Sequence, residues 1–505
     1  MPAGMARIGA TAAVMLAALM QALDSTIANV ALPYMQGSLS ATSEQANWVL
    51  TSYIVAAAIM TPTTGILENR LGRRRLFMGA VVGFVVASML CGAATSLDQM
   101  ILFRLLQGIF GAPLVPLAQA VLLDSTSAEQ RGSAMAIFGL GVMLGPIIGP
   151  SLGGWLTESY GWRWVFYVNV PIGALTVLLL WLFLAEPPRQ GVQRFDIFGF
   201  AMLSLGVGAL QMFLDRGEQL DWFSSTEIIV EVTLCVLAFY LFVVHITTRR
   251  EAFLDVRLFS DRNFVIGQVL IFAIGAILLA TLALITPFLE RLMNFPVLEA
   301  GLVLAPRGMG TMVAMVLVGR LLGRMDGRWL IATGLLLTAF ALYEMSLFTA
   351  DVSRATIIRT GVTQGFGLGF VFVPLSTLTF ATLRPELRTQ GTSLFSLTRN
   401  IGSSIGIAFT TFLLTRLTTT MHAEIAATVT PFSRAVRAED QFHLATPAGR
   451  AALDQLVTLQ AATIAYDDNF RLMMIGCLVV LPLLLLMRPQ PRAAAAAKPA
   501  RRLAA

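Results

Sequence analysis

The chain has 505 residues, of which 56% are apolar and only 13% charged, with a mean hydropathy of +0.75 and a formal charge of +6. Soluble domains carry roughly a quarter charged residues, so this composition excludes an ordinary soluble enzyme or binding module. The basic residues stand in short clusters between apolar runs, as membrane topology requires, so no nucleic-acid partner is expected.

Apolar runs long enough to cross a bilayer fall at 8–33, 46–67, 76–95, 99–123, 132–157, 164–184 and 196–214, and then at 226–246, 263–289, 299–322, 329–349, 354–380, 389–415 and 468–488. The first continues from Arg7 through Asp24 and Asn29 to Leu32, longer than the core of a signal peptide, and reads as a permanent helix. An even number of spans puts both termini on one side. Loops on that side hold Arg70, Arg73, Arg74, Arg75, Arg131, Arg189, Arg194, Arg249, Arg250, Arg257, Arg262, Arg324, Arg328, Arg384 and Arg388, whereas the other side has little beyond Arg163, Arg216 and Arg291. The positive-inside rule therefore predicts cytoplasmic termini.

The first span carries Gln21, Ser25 and Asn29 at i, i+4, i+8, with Asp24 beside them. A polar stripe on an apolar helix must face protein or a water-filled cavity. Asp24 is the one carboxylate well inside the first six spans, where insertion costs about 2.5–3.5 kcal/mol. It reads as a reversible proton site or as a structural carboxylate held permanently by an arginine. Gln21, Asp24, Asn29 and Gln107 are also candidates for substrate contact. Between the second and third spans, Asn69, Arg70, Gly72 and Arg73 lie in a short basic loop, expected to set topology and to latch that side. Arg104, Gln107 and Gly111 share a face of the fourth span. A buried guanidinium needs an acceptor, for which Asp24 or backbone carbonyls are the candidates. In the fifth span Gly141, Gly145, Gly149 and Gly153 recur every four residues with Pro146 and Pro150 between them, marking close helix packing or a seam between two halves.

Several landmarks recur. Gln107-Gly108, Glu129, Arg131, Gly145 and Gly149 return 257 residues later as Gln364-Gly365, Glu386, Arg388, Gly402 and Gly406, and Pro33 and Gly65 return 254 later as Pro287 and Gly319. Six-helix units in parallel repeat, with the substrate site near mid-bilayer at their interface, follow from this pattern. The expected organisation is an N-terminal half over 1–190, two inserted spans over 191–262, a C-terminal half over 263–488 and a tail over 489–505. At the 254 offset Asp24 maps to Leu278, so the halves differ chemically. The C-terminal half instead places Arg307, Arg359 and Arg399 inside spans, either facing the cavity and favouring anionic amphiphiles or bonding carbonyls and acids of their own half. Residues 416–467 read as a long loop opposite the termini with room for a short amphipathic helix, either a spacer or a docking surface. Cys91, Cys235 and Cys477 lie in separate runs, and no cluster of His, Cys or carboxylates offers a metal site, a cofactor site or a catalytic centre.

LDSTIANVALP (23–33), GILENRLGRRR (65–75), LFRLLQGIFGAP (102–113), GVMLGPIIGPSLGG (141–154), WRWVFYVNVPIG (162–173) and LDRGEQLDWFSS (214–225) together resemble the major facilitator superfamily, specifically its fourteen-helix drug/proton antiporter branch and EmrB-like multidrug exporters. The resemblance spans nearly the whole chain. It implies an all-α membrane fold in the bacterial inner membrane and proton-driven export of amphipathic toxic compounds. It further implies a coupling role for Asp24 and Arg104, an antiporter seam at Gly145-Pro146, and an EmrA-like periplasmic adaptor with an outer-membrane channel as partners. The loop motif of that family usually has Asp where this chain has Asn69. The alternative function is a narrow exporter or symporter of a metabolite, lipid or siderophore.

Overall fold

A computed structural model describes residues 3–127, 130–186, 195–249, 253–429 and 446–488. The described residues contain fourteen helices long and apolar enough to span a membrane, and no β-strand. The first six are α1 (Arg7–Ser38), α2 (Gln45–Leu71), α3 (Arg73–Ala93), α4 (Leu97–Ser125), α5 (Arg131–Tyr160) and α6 (Trp164–Phe183). Next come α7 (Ile197–Arg216) and α8 (Thr226–Thr248). The last six are α9 (Arg262–Leu292), α10 (Glu299–Leu321), α11 (Gly327–Met345), α12 (Arg354–Thr379), α13 (Pro385–Thr428) and α14 (Pro447–Leu486).

Helices are the local solution because lipid offers backbone groups no partners, leaving only the first-turn N–H groups to be met at the boundaries. Side chains supply them there. Thr42 and Gln45 form a capping box at α2, and Ser96, Asp196, Asp261, Asp326, Ser353 and Thr446 accept first-turn N–H bonds at later starts. Gly72, at φ +87°, turns the chain from α2 into α3, a conformation a side chain would strain.

The two six-helix sets repeat one packing pattern. Helix α1 packs on α5 and α6, α2 on α4, and α3 on α4 and α6; correspondingly α9 packs on α13 and α14, α10 on α12, and α11 on α12 and α14. The halves meet through α5 on α10 and α2 on α13. Helices α7 and α8 pack on each other, and α7 also touches both halves, through Asp215 with Thr51 and through Gln211 Oε1 accepting from Ser404 Oγ at 2.9 Å.

One expectation needs correction. Most of 416–467 is not loop: the helix of α13 runs on to Thr428, and that of α14 already starts at Pro447. At about 1.5 Å per residue, the 41-residue helix Arg388–Thr428 is roughly 60 Å long, twice the hydrocarbon thickness. The two helices therefore leave the bilayer side by side, and His422 Nε2 and Asp454 Oδ1 lie 3.1 Å apart between them. Hydropathy stops at the membrane surface, whereas helix propensity in this Ala-, Leu- and Arg-containing sequence does not.

The glycine ladder is also located. Gly141, Gly145, Gly149 and Gly153 face Met15, Ala22, Thr26 and Ile27 of α1, inside one half. The face of α5 turned to α10 carries Gly132, Ala136, Gly139 and Ile147. A methyl group at Gly145 would lie 2.6 Å from the Ala22 carbonyl carbon, whereas at Gly154 it meets nothing within 4 Å. Gly145→Ala is expected to lower the melting temperature of the purified protein by several degrees, the equivalent of about 1–3 kcal/mol of overpacking, and Gly154→Ala to leave it unchanged. Equal melting of both variants would show that the α1–α5 contact is slack.

Candidate functional site

Five helices converge on one carboxylate. Asp24 of α1 is 2% exposed, and Arg104 of α4 reaches it with Nη1 2.8 Å from Oδ2. Its other oxygen accepts from Gln107 Nε2 at 2.7 Å and from Asn169 Nδ2 of α6 at 3.0 Å. Arg104 in turn donates Nε to the Val49 carbonyl of α2 at 3.0 Å and Nη1 to Gln107 Oε1 at 2.8 Å. Its guanidinium carbon stands 4.5 Å from the centre of the Tyr53 ring, and the Tyr53 hydroxyl accepts from Gln21 Nε2 at 3.3 Å. Asn169 also donates to Ser88 Oγ of α3, which bonds the Phe166 carbonyl. Both oxygens of Asp24 thus meet donors only, from Arg104, Gln107 and Asn169, the pattern that suits an acceptor-only carboxylate.

This network lies inside the N-terminal half. Asp24 and Gln107 point into the helix bundle, while Ser25 and Asn29, on the adjoining face of α1, are exposed and Gln21 is half-buried between them and Tyr53. The stripe and the acid are thus on two sides of one helix, joined through Gln21. Reading single spans missed Asn169, Ser88 and Tyr53. Ser88 and Asn169 are lone polar residues in apolar runs, and Tyr53 follows Thr51 and Ser52 with no periodic signal to mark it.

A second cluster closes the face that bears the termini. Glu68 at the end of α2 is ion-paired with Arg73, whose Nη2 is 2.8 Å from Asp124 Oδ2 of α4. The other oxygen of Asp124 is 2.6 Å from Arg388 Nη1 of α13, in the opposite half. Glu68, Arg73 and Arg388 are all buried. Asn69 is half-buried beside them, and Arg70 is exposed over the Phe195 ring at 5.7 Å. The acid of this loop that meets the arginine is therefore Glu68, one residue before the Asn69 position. Nearby, Thr392 Oγ1 donates to the Pro116 carbonyl at 3.1 Å and Ser133 Oγ to the Gly319 carbonyl at 3.3 Å, both across the halves. Contact between α5 and α10 continues up to Ile147 against Gly308, near mid-height. Pro146 and Pro150 are exposed on an unbroken α5 helix.

In the C-terminal half, Arg307 is buried on α10 and Arg359 of α12 is exposed, with Nη2 2.6 Å from Glu344 Oε1 of α11. Arg359 is thus answered by an acid of its own half. Among the described residues no group of His, Cys, Asp and Glu has the makings of a metal site.

A family model described as Major Facilitator Superfamily matches residues 14–407. Multidrug export protein EmrB of Escherichia coli K12 is 37% identical over 84% of this chain and 83% of its own length. Fatty acid resistance protein FarB of Neisseria gonorrhoeae is 34% identical over 94% of each. Among solved structures, the human organic anion transporter MFSD10 superposes with a TM-score of 0.59 at 15% identity, covering 94% of this chain and 100% of that one. The proton:xylose symporter XylE gives 0.60 at 13% identity, covering 94% and 95%. At such identities the structures speak for the fold alone.

The Asp124–Arg388 bridge makes a checkable statement about which face is shut. In a variant lacking the three native cysteines, Thr392→Cys should resist a membrane-impermeant maleimide applied from the terminus-bearing side. Adding Arg388→Ala, which leaves one carboxylate oxygen of Asp124 without its cation, should raise the labelling rate about tenfold. An unchanged rate would mean the bridge does not hold the halves together.

Proposed function

Because the chain belongs to the major facilitator superfamily, a family of transporters and not of enzymes, and is a multi-pass protein of the inner membrane, we propose that it is a proton-driven antiporter exporting amphipathic drugs or toxic compounds by alternating access. The observation that carries this reading is the buried Asp24–Arg104 pair, a charge inside the membrane with its counter-ion on a different helix. Exporters among its relatives, EmrB foremost, supply the direction.

The arginine-rich loops put both termini in the cytoplasm. The face closed by Glu68, Arg73, Asp124 and Arg388 is then cytoplasmic, and the conformation faces outward. A proton arriving from outside, by way of the exposed α1 stripe and Gln21, neutralises Asp24 and removes the attraction that holds Arg104, Gln107 and Asn169 around it. Helix α1 is packed on α5 through Gly145, with Thr26 Oγ1 donating to the Gly145 carbonyl at 3.2 Å. Helix α5 is the element that slides on α10. Loosening α1 therefore reaches the interface between the halves, and the cytoplasmic latch opens to admit substrate. Release of the proton to the cytoplasm restores the ion pair.

The helical extensions of α13 and α14 stand on the periplasmic side in this orientation and form the docking surface for an adaptor, the route to a tripartite system with an outer-membrane channel. They lie beyond the membrane, so the transport cycle does not need their tips.

Two experiments test this. In proteoliposomes with an imposed pH gradient, Asp24→Asn should reduce uphill dye or drug transport at least tenfold while substrate binding persists. Wild-type gradient-driven rates in Asp24→Asn would remove the residue from coupling. Replacing 423–453 with a short Gly-Ser turn keeps the His422–Asp454 closure. It should leave proteoliposome transport intact and abolish drug resistance in cells. Loss of both activities would make the hairpin part of the transport fold instead.

A further inference from the structure

Asp24 meets only donors, so a proton placed on it creates a new donor that needs an acceptor. The side chains bonded to its oxygens are Arg104, Gln107 and Asn169. Arg104 has no acceptor to offer. Gln107 has one, but its Oε1 is already taken by Arg104 Nη1 at 2.8 Å and by the Cys91 thiol at 3.6 Å. Turning that amide over would set its NH2 against the guanidinium, donor against donor. Asn169 is different. It is fully buried, and its Nδ2 donates to Asp24 Oδ1 and to Ser88 Oγ at 3.0 Å each. Its Oδ1 has no hydrogen-bond partner among the described residues.

A buried amide oxygen without a partner is costly, and folded proteins leave few of them. The oxygen and the NH2 of an asparagine are similar in size, so the amide can turn over about its Cβ–Cγ bond within the space it already fills. Oδ1 would then face both Asp24 and Ser88 in place of Nδ2. Ser88 can follow, because its hydroxyl proton, now given to the Phe166 carbonyl at 2.8 Å, rotates freely toward Oδ1. One atom of the amide is unpaired in either orientation. The charge on Asp24 therefore decides between them: an ionised acid needs the NH2, a protonated acid needs the oxygen. Among the described residues, the other titratable groups around this acid are Arg104 of α4, Tyr53 of α2 and Cys91 of α3. Helix α5 meets this part of α1 with Gly145 and Gly149, and α6 brings the Asn169 amide.

We infer that Asn169 is a positioning residue that turns over with each protonation of Asp24, donating to the carboxylate and accepting from the acid. This rests on the reading of Asp24 as the proton site, and deepens it by naming the group that receives the new O–H. The tie between α1 and α6 then persists through the cycle with its direction reversed, while the ion pair to Arg104 of α4 is lost. Proton uptake thus frees Arg104 selectively, and Ser88 carries the change to α3.

The test is a pH titration of the full-length protein in nanodiscs, without substrate or gradient, read by infrared and NMR spectroscopy. The carboxyl C=O band that appears on acidification of the wild type and is missing in Asp24→Asn reports the acid itself. Asn169→Leu removes a donor from the ionised form, whose hydrogen bonds are the stronger, and should move the midpoint of that band up by about one pH unit. Asn169→Gln, which restores an amide, should bring it part of the way back. In protein labelled with nitrogen-15 at asparagine, the side-chain amide signal of Asn169, assigned by its loss in Asn169→Gln or Asn169→Ser, should titrate with the same midpoint. Both of its protons should lose their hydrogen-bond shifts together, because turning over takes the NH2 away from Ser88 as well as from Asp24. Movement of the Asp24-facing proton alone would leave Asn169 a fixed donor and overturn the proposal, as would a signal that does not move or an unchanged midpoint in Asn169→Leu. The amide signal is followed in the wild type, so it decides the matter even where Asn169→Leu does not fold. A wild type with no Asp24 band across its stable pH range would instead remove the proton-site reading, and this proposal with it.

Discussion

A charge taken out of water has to be answered locally, and in the N-terminal half the answer to Asp24 is assembled from four other helices. Removing one partner from a buried pair costs about 3–5 kcal/mol, because the survivor is left uncompensated. Arg104 comes from α4, Asn169 from α6, the Tyr53 ring and Val49 carbonyl from α2, and Ser88 orients Asn169 from α3. No two of these helices can shift without disturbing the rest. These five helices are therefore tied into one body while the acid is charged, and α5 is held to them through its glycine ladder on α1.

The same requirement shapes the seam. Helix α5 has two working faces: the glycine ladder lets it sit against the Asp24 helix, and the face with Gly132, Ala136 and Gly139 lets it sit against α10. Ladders of small residues bring backbones close enough for van der Waals packing to substitute for the hydrophobic drive that lipid does not provide. Such packing is strong when matched and tolerates sliding. The latch adds charge to one end only. Asp124 is held from its own half by Arg73 and from the other by Arg388, so it can release the second without becoming an unpaired ion. That division suits a contact meant to open: the cost of separation is divided, and the half-buried site lets water return.

How much of this was visible in the chain beforehand depends on whether the information is local. Asp24, Arg104 and Gln107 announce themselves because polar residues inside apolar runs violate the solvent's preference, and the fourteen spans follow from the same rule. Asn169, Ser88 and Tyr53 break that rule too mildly to stand out, since single amides, hydroxyls and tyrosines occur in many spans for packing alone. The ladder was readable as a small-residue face, but the identity of its neighbour is a tertiary fact. Asp124 and Arg388 are 264 residues apart and joined only by the fold. The extensions of α13 and α14 escaped for a different reason. Hydropathy reports where the membrane ends, and there the helices simply continue in water on their own propensity and mutual packing.

Comparing the halves shows what the repeat has kept and what it has let diverge. Both keep the glutamine on the fourth helix of the unit, Gln107 and Gln364, and both keep an arginine in the space between the second and fourth helices. Only one keeps the acid. An internally neutral pair can change state by a proton alone, because the proton is the smallest species able to enter a filled site. An arginine without its acid cannot be switched that way; Arg307 donates Nη2 to the Leu278 carbonyl at 3.3 Å instead. The same place in the two halves thus holds a compensated ion pair in one and an arginine on a backbone carbonyl in the other. Each half reaches the α5–α10 contact by its own route, α1 through Gly145 onto α5, and α10 through Gly308, which follows Arg307 and lies against Ile147.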